Sequence, residues 1–170
     1  MPQYRRYWIP GGAYFFSVVA RDRRPILTEP SVRGLLKDAI QSVRKKRPFE
    51  IVAAVLLPDH LHTIWAMPEG DDNFAVRWML IKSYVSKRYR AGSSAKILIW
   101  QPRFWEHWIR DDDDMKKHLD YIHFNPVKHG LVQQAKDWPW STFQKWVERG
   151  EYPADWGQKE PVEIAGMDWD

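Results

Sequence analysis

The sequence between residues 49 and 67 holds two apolar runs separated only by Pro58 and Asp59. Each run is seven to nine residues long and rich in β-branched, aliphatic or aromatic side chains, which is typical of buried strands. Because the link between them is so short, the two strands must pair as an antiparallel hairpin. The chain is therefore expected to build a sheet around this hairpin.

The second strand of the hairpin carries an unusual pair of imidazoles, His60 and His62, on either side of Leu61. Side chains alternate along a strand, so both histidines face one side while Leu61 faces the other, into the core. Two neighbouring imidazoles can hold a divalent metal. The pair alone is equally compatible with a hydrogen-bonded structural pair.

The other elements follow from periodicity, caps and breakers. They are a strand over 13–21, a helix over 31–47, a helix after the N-cap Asn73, a strand within 99–110, a helix from 111, and a short helical element within 138–150. The helix from 111 is expected to end near Asn125, because Pro126 disfavours helical geometry in the residue before it. The predicted fold class is α+β, with helices packed against a mostly antiparallel sheet.

The absence of cysteine excludes disulfides and thiolate metal sites, so any metal must be held by histidine, carboxylate or amide groups. The N-terminus shows no apolar signal segment, and the longest apolar run, Ile51 to Leu57, is too short to span a bilayer. We therefore expect a cytoplasmic protein that does not associate with membranes.

Charge is distributed unevenly along the chain. Residues 1–150 hold 25 Lys and Arg against 16 Asp and Glu, whereas residues 151–170 hold one Lys against six acidic residues. A basic body in a chain with 11 tryptophans suits nucleic acid, although a basic protein with a tryptophan-rich core fits the composition equally well. We predict one domain over 1–150 and a poorly structured acidic tail over 151–170. The tail either covers a basic DNA surface and competes with substrate or is a disordered terminus.

A second candidate feature lies on the helix from 111, where Tyr121 and Asn125 are one turn apart on one face. By itself this pair also fits an ordinary surface helix. Combined with His60 and His62, it suggests a metal ion held by two imidazoles and an amide, beside a tyrosine that attacks a phosphodiester. His118 and Lys128 could assist the tyrosine, but we expect both to be solvated surface residues.

Four segments, "PDHLHTIW", "WQPRFWEHWIRDDDD", "HLDYIHFNPVKHGLV" and "DWPWSTF", together resemble the single-tyrosine HUH transposases, and most of all the REP-associated tyrosine transposases. The resemblance runs from Tyr4 to about Trp156. It implies an HUH-endonuclease-like α/β sandwich with Tyr121 as nucleophile. It also implies that His60, His62 and Asn125 bind magnesium or manganese, although many related transposases have glutamine at the last position.

By the same resemblance, the substrate is single-stranded DNA beside a hairpin. The DNA is cut and rejoined through a 5′-phosphotyrosine, and the protein is expected to be a monomer, with a dimer as the alternative. A non-catalytic hairpin-binding relative is the second reading, and a zinc hydrolase is disfavoured because "HLHTIW" lacks the further ligands such a site needs. The candidate DNA contacts are basic side chains near the N-terminus, in the first turn and on the second helix: Arg5, Arg6, Arg21, Arg23, Arg24 and Lys82.

Overall fold

The computed structural model describes residues 9–92 and 97–170. Its centre is a four-stranded antiparallel sheet with the strand order β2-β3-β1-β4. The elements are β1 (Ala13–Val19), α1 (Pro30–Lys46), β2 (Glu50–Leu56), β3 (His60–Ala66), α2 (Phe74–Ala91), β4 (Trp105–Trp108), α3 (Asp112–Lys128) and α4 (Phe143–Glu148). The predicted α+β class and the hairpin of β2 and β3 are confirmed.

Strand alternation sorts the side chains of the sheet into two layers. Tyr14 and Phe16 of β1 pack with α1 and α2 in one apolar cluster. Phe15 of β1 packs with α3 in a second cluster on the other face. Leu61 of β3 belongs to the first cluster and Ile64 to the second. The sheet is thus the middle layer of an α/β sandwich, and the even-numbered residues of β3 face α3.

The helices of the first layer form where the sequence pattern predicts them. α1 buries Val32, Leu36, Ala39 and Val43 at helical spacing. The side chain of Asn73 caps α2 by accepting a hydrogen bond from the Val76 N–H at 3.2 Å. Within the described residues, no helix has both the length and the hydrophobicity that a bilayer span requires.

The predicted end of α3 at Asn125 is wrong, because the helix continues through Pro126 to Lys128. The fixed φ of proline is compatible with a helix, and main-chain bonding continues beyond the ring, from the His129 N–H to the Asn125 carbonyl at 3.0 Å. Gly130, in the left-handed region at φ 67°, then ends the element. The extra turn carries Lys128 onto the same row as Tyr121.

The segment 151–170 is not poorly structured, contrary to the sequence-based expectation. The side chains of Tyr152 and Ile164 are buried, and Ile164 joins the apolar cluster beneath α3. The Tyr152 hydroxyl donates a hydrogen bond to the Asp120 carboxylate at 2.7 Å. Burial of these two side chains supplies the apolar contacts that fix the segment against α3.

A buried arginine of α2 connects the loop before α2 to the C-terminal end of α1. Arg77 of α2 is 1% exposed. Its guanidinium donates to both carboxylate oxygens of Asp71, at 3.1 and 2.6 Å. It also donates to the carbonyls of Arg47 and Pro48, at 3.1 and 2.9 Å, at the end of α1. One charged side chain therefore satisfies hydrogen-bond acceptors in two separate segments.

We predict that Arg77→Met lowers the free energy of unfolding by about 3 kcal/mol, because it leaves a carboxylate and two carbonyls without their donor. Urea denaturation of the variant and of Lys87→Ala, an exposed cation on the same helix, provides the measurement. The control should change by less than about 0.5 kcal/mol. A loss below about 1 kcal/mol in Arg77→Met would contradict the role assigned to this side chain.

Candidate active site

The two histidines of β3 lie side by side on the α3 face, as predicted, with their ring centroids 4.7 Å apart. Both side chains are buried. The Nδ1–H of His60 donates to the Asp59 carboxylate at 2.7 Å, so the Nε2 atom carries the lone pair. That Nε2 makes no hydrogen bond within the part of the chain that the structure describes.

The second imidazole is held by the neighbouring strand. The register of β1 places Ser17 opposite His62, and Ser17 Oγ lies 2.7 Å from His62 Nδ1. A hydroxyl both donates and accepts, so it supports either tautomer of the ring. Burial lowers the pKa of His62 to about 4, which keeps this imidazole neutral at neutral pH. Neutral imidazoles with a fixed orientation are the form that binds metal ions.

Tyr121 reaches the same place from α3. Its ring lies 5.3 Å from that of His62, and only 1% of the residue is exposed. Lys128 Nζ donates to the Tyr121 hydroxyl at 3.0 Å, across two turns of the helix. Burial raises the pKa of Tyr121 to about 12, although the Lys128 contact works in the opposite direction. The expectation that Lys128 is a solvated surface residue is wrong.

Asn125 is one helical turn beyond Tyr121 and fully buried. Neither its amide oxygen nor its amide nitrogen has a hydrogen-bond partner among the residues that the structure describes. A buried amide without a partner is costly, which indicates that a ligand satisfies it. Two imidazole nitrogens, from His60 and His62, and one amide oxygen, from Asn125, are ligand types that suit a divalent ion.

Asp170 contacts both histidines of β3 and Tyr121. Asp170 Oδ1 accepts hydrogen bonds from the Tyr121 hydroxyl at 2.7 Å and from His62 at 2.8 Å, and it lies 3.4 Å from His60 Nε2. Asp170 Oδ2 lies 2.8 Å from His129 Nε2 and 3.3 Å from Lys128 Nζ. A single carboxylate thus contacts five side chains that the sequence places far from it.

These contacts explain the electrostatics of the site. Burial by itself would raise the pKa of Asp170, but hydrogen bonds from His129, His62 and Tyr121, together with the nearby His60 ring, outweigh it, so the pKa is far below its ordinary range. For Lys128, burial lowers the pKa, and the contacts with Tyr121 and Asp170 raise it above its ordinary value. The groups therefore form a site that stabilises an oxyanion.

His118 is buried, contrary to the expectation that it is a surface residue. Its Nδ1–H donates to the main-chain carbonyl of Asp114 at 2.8 Å, and its ring stacks on His107 at 4.6 Å. The Asp114 carboxylate in turn accepts hydrogen bonds from His107 at 2.8 Å and from the main-chain N–H of Arg110 at 3.0 Å. This network fixes the first turn of the helix that carries Tyr121.

The comparisons with known proteins agree with this geometry. The family described as "Transposase IS200 like" matches residues 12–123. The REP-associated tyrosine transposase of Escherichia coli (strain K12) is 52% identical over 156 residues, which cover 92% of this chain and 91% of the relative. The chain belongs to the IS200-like transposase family.

Two further relatives extend the match over nearly the whole chain. A Haemophilus influenzae protein, provisionally named a REP-associated tyrosine transposase, is 40% identical over 98% of this chain and 99% of its own. A solved structure of a REP-associated tyrosine transposase bound to a REP hairpin is 48% identical, with a TM-score of 0.83 over 99% of this chain and 98% of the other. The expected HUH-like sandwich is confirmed.

The candidate DNA contacts of this IS200-like transposase fall into three groups. Arg5 and Arg6 lie outside the described residues. In the turn after β1, Arg23 pairs with Asp59 at 3.3 Å, while Arg24 donates to the Leu98 carbonyl. Lys82 donates to the Gln101 carbonyl at 2.6 Å, and burial lowers its pKa to about 8. Arg21 lies in the same turn and is partly exposed.

Sequence reasoning did not identify three residues of the site. His129 follows the predicted end of α3. Asp170 and Trp169, whose main-chain N–H donates to the Tyr121 hydroxyl at 2.9 Å, lie in the predicted tail. For His129 a signal existed, since the spacing from Tyr121 places it two turns along the helix once Pro126 is allowed inside. For Trp169 and Asp170, no local pattern indicates their partners in the site, because those partners are distant in sequence.

Asp114 provides a test of the network that fixes α3. Burial alone would raise its pKa, but hydrogen bonds from Arg110 and His107 lower it to about 2. Because this value is below that of an unfolded aspartate, the stabilisation is present above pH 4 and is lost as the pH falls towards 2. We predict that Asp114→Asn lowers the free energy of unfolding by about 2 kcal/mol at pH 7.

Urea denaturation between pH 7 and pH 2 measures this effect, with the exposed Asp113→Asn as control. The difference between wild type and Asp114→Asn should shrink as the pH approaches 2, whereas the control should follow wild type to within a few tenths of a kcal/mol. A difference that does not change with pH would show that the charge of Asp114 is not what stabilises the helix.

Proposed function

We propose that this transposase cleaves and rejoins single-stranded DNA next to a hairpin, with Tyr121 as the nucleophile. The observation that carries the proposal is the shared anion position: the Tyr121 hydroxyl, His62 and Lys128 all contact one carboxylate, that of Asp170. A scissile phosphate has the same charge and the same kind of oxygen acceptor. An attacking hydroxyl, two imidazoles and a cation around one oxyanion suit phosphoryl transfer.

Each residue then has a defined role in the reaction. Tyr121 gives up its phenolic proton to solvent, and its oxygen forms a bond to phosphorus as the bond to the 3′ oxygen breaks. The leaving 3′ oxygen takes up a proton, and the 5′ phosphate stays on the tyrosine. The Lys128 ammonium, 3.0 Å from the hydroxyl, stabilises the phenolate that burial disfavours. Rejoining reverses these steps with a 3′ hydroxyl as the attacking group.

A divalent ion, magnesium or manganese, would be held by His60, His62 and Asn125. When bound, it would act as a Lewis acid on the scissile phosphate. Two nitrogen ligands favour manganese, since magnesium prefers oxygen ligands. Asp59 and Ser17 orient the two rings for this purpose, at 2.7 Å each.

The proposed partner is a single strand that carries a REP-like hairpin, by analogy with the relative solved with a REP hairpin. Arg5, Arg6, Arg21, Arg23, Arg24 and Lys82 are the proposed DNA contacts. The position of Arg23 supports a DNA contact close to the site, because Arg23 pairs with Asp59, the residue that orients His60. We propose a monomer, with a dimer as the alternative, because the groups around Asp170 all come from one chain. We retain residues 1–150 as the catalytic domain and propose that the segment 151–170 regulates it.

We predict that a covalent protein–DNA adduct forms when the protein is incubated with a single-stranded hairpin oligonucleotide and manganese. Tyr121→Phe should abolish the adduct, because it removes the attacking oxygen. Tyr89→Phe, a tyrosine on α2, should leave the adduct unchanged. Denaturing electrophoresis of labelled DNA is the measurement, and an adduct that persists in Tyr121→Phe would refute the assignment.

We also predict that Asp170→Ala increases the initial rate of adduct formation, because the carboxylate occupies the position proposed for the phosphate. The increase should be largest at low salt, where repulsion between the carboxylate and the phosphate is least screened. Asp155→Ala removes the same charge from an exposed position in the same segment and serves as control. A slower rate in Asp170→Ala would mean that this carboxylate assists the reaction.

A non-catalytic hairpin-binding protein is the second candidate function. The observation in its favour is that Asp170 occupies the site and that the pKa of Tyr121 is raised to about 12 in this state. The two candidates differ in Asp170→Ala: an enzyme forms the adduct, whereas a binder holds the hairpin without forming one under any metal.

A further inference from the structure

The Trp169 ring packs among aromatic side chains on the side of the sheet that faces α3. Its ring lies 4.2 Å from that of His118, with an angle of 5° between the planes. Its centroid lies 4.7 Å from that of the Tyr121 ring, at 54°, and 5.6 Å from that of the Phe15 ring, at 60°. Trp105, from β4, lies nearly parallel to it at 6.4 Å. A planar slot of aromatic rings therefore adjoins the nucleophile.

We propose that this slot binds the nucleobase next to the scissile phosphate, with His118 as its stacking platform, and that Trp169 and Asp170 mimic a nucleotide there. The inference rests on the proposed function and adds a substrate subsite to it. The base stacks on the imidazole of His118 where the indole now lies, while the phosphate takes the position of the carboxylate. An indole is a planar bicyclic ring of about the size of a purine.

The order of groups in the peptide matches that in a nucleotide. Asp170 provides an anion that contacts His62 and Tyr121, and the adjacent residue provides a flat ring on His118. The main chain between the two is also held: the Trp169 N–H donates to the Tyr121 hydroxyl at 2.9 Å, and the Trp169 carbonyl contacts the Ser17 hydroxyl. An aromatic ring and an anion, joined by a short polar link, are bound as one unit.

His118 is suited to the role of a platform because it cannot rotate freely. Its Nδ1–H is bound to the Asp114 carbonyl at 2.8 Å, and the ring of His107 supports its other side at 4.6 Å. Stacking on a preorganised ring loses little conformational entropy on binding. Base–aromatic stacking accepts any base, so the slot positions the strand without by itself selecting a sequence.

The surroundings of the slot provide a path for the rest of the strand. A cleft of about 830 Å³ opens beside Trp169 and is lined by Gln101, Arg103 and Trp105, among others. Arg103 is exposed. A cation and an amide along a cleft that leads away from the stacked ring are the groups that a sugar–phosphate backbone requires. The cleft thus continues the subsite in the direction of β4.

The test uses full-length protein with Trp169→Ala, which empties the slot, and Tyr121→Phe, which prevents cleavage. Hairpin oligonucleotides carry 2-aminopurine at one position of the single-stranded flank at a time. We expect one position to be quenched on binding, because stacking quenches this base. That position should lie next to the phosphate that wild-type protein cleaves.

Two further substitutions at His118 identify the platform. In protein that also carries Trp169→Ala and Tyr121→Phe, His118→Ala should abolish the quenching and weaken binding by about tenfold. His118→Phe, which keeps an aromatic ring, should preserve the quenching and the affinity. An abasic nucleotide at the quenched position should also weaken binding by about tenfold in protein that retains His118, so the conclusion does not depend on the folding of the alanine variant.

The outcomes separate this inference from the proposed function. Three results would each overturn the base-binding slot. The first is equal quenching with His118 and with alanine at this position, and the second is no quenching at any flank position. The third is an abasic nucleotide that leaves the binding affinity unchanged. Each would mean that Trp169 merely anchors the C-terminal segment. The Tyr121-dependent adduct is measured separately, so its absence would overturn the cleavage reaction whatever the quenching shows.

Discussion

The register between β1 and β3 is the constraint on which the rest of the site depends. It sets Ser17 opposite His62 and turns both histidines of β3 towards α3. A slip by one residue would place both imidazoles in the apolar cluster under α1 and α2 and would bring Leu61 to the catalytic face. The hydrophobic alternation on both faces of the sheet prevents such a slip, so the apolar core specifies where the polar site forms.

Local signals in the sequence predict most of the architecture. The hairpin of β2 and β3, helix α1 and the Asn73 cap depend on periodicity and on side chains a few residues apart, and all are observed. The shared face of His60 and His62 follows from strand alternation alone. Tyr121 could be named as a candidate because residue type and helical spacing suffice for that step.

The errors have a common physical origin in contacts between distant parts of the chain. Pro126 was expected to end α3, but bonding beyond the ring and packing on the sheet keep the helix intact. Acidic composition suggested a poorly structured terminus, whereas Tyr152 binds Asp120 and Asp170 binds groups from β3 and α3. Neither composition nor periodicity encodes which buried cations and imidazoles a carboxylate will meet. His118 was misassigned for the same reason, since the rings that stack on it, those of His107 and Trp169, lie outside α3.

The anchoring of the C-terminal segment determines how strongly it competes with other ligands. Ile164 is buried against α3, so only the few residues that follow it need to move for Trp169 and Asp170 to leave. A group on so short a tether acts at an effective concentration of roughly millimolar or above. A phosphate in the position proposed for it would therefore compete with a group whose effective concentration does not fall on dilution. Its apparent affinity is its intrinsic affinity reduced by the fraction of molecules in which the tether is open.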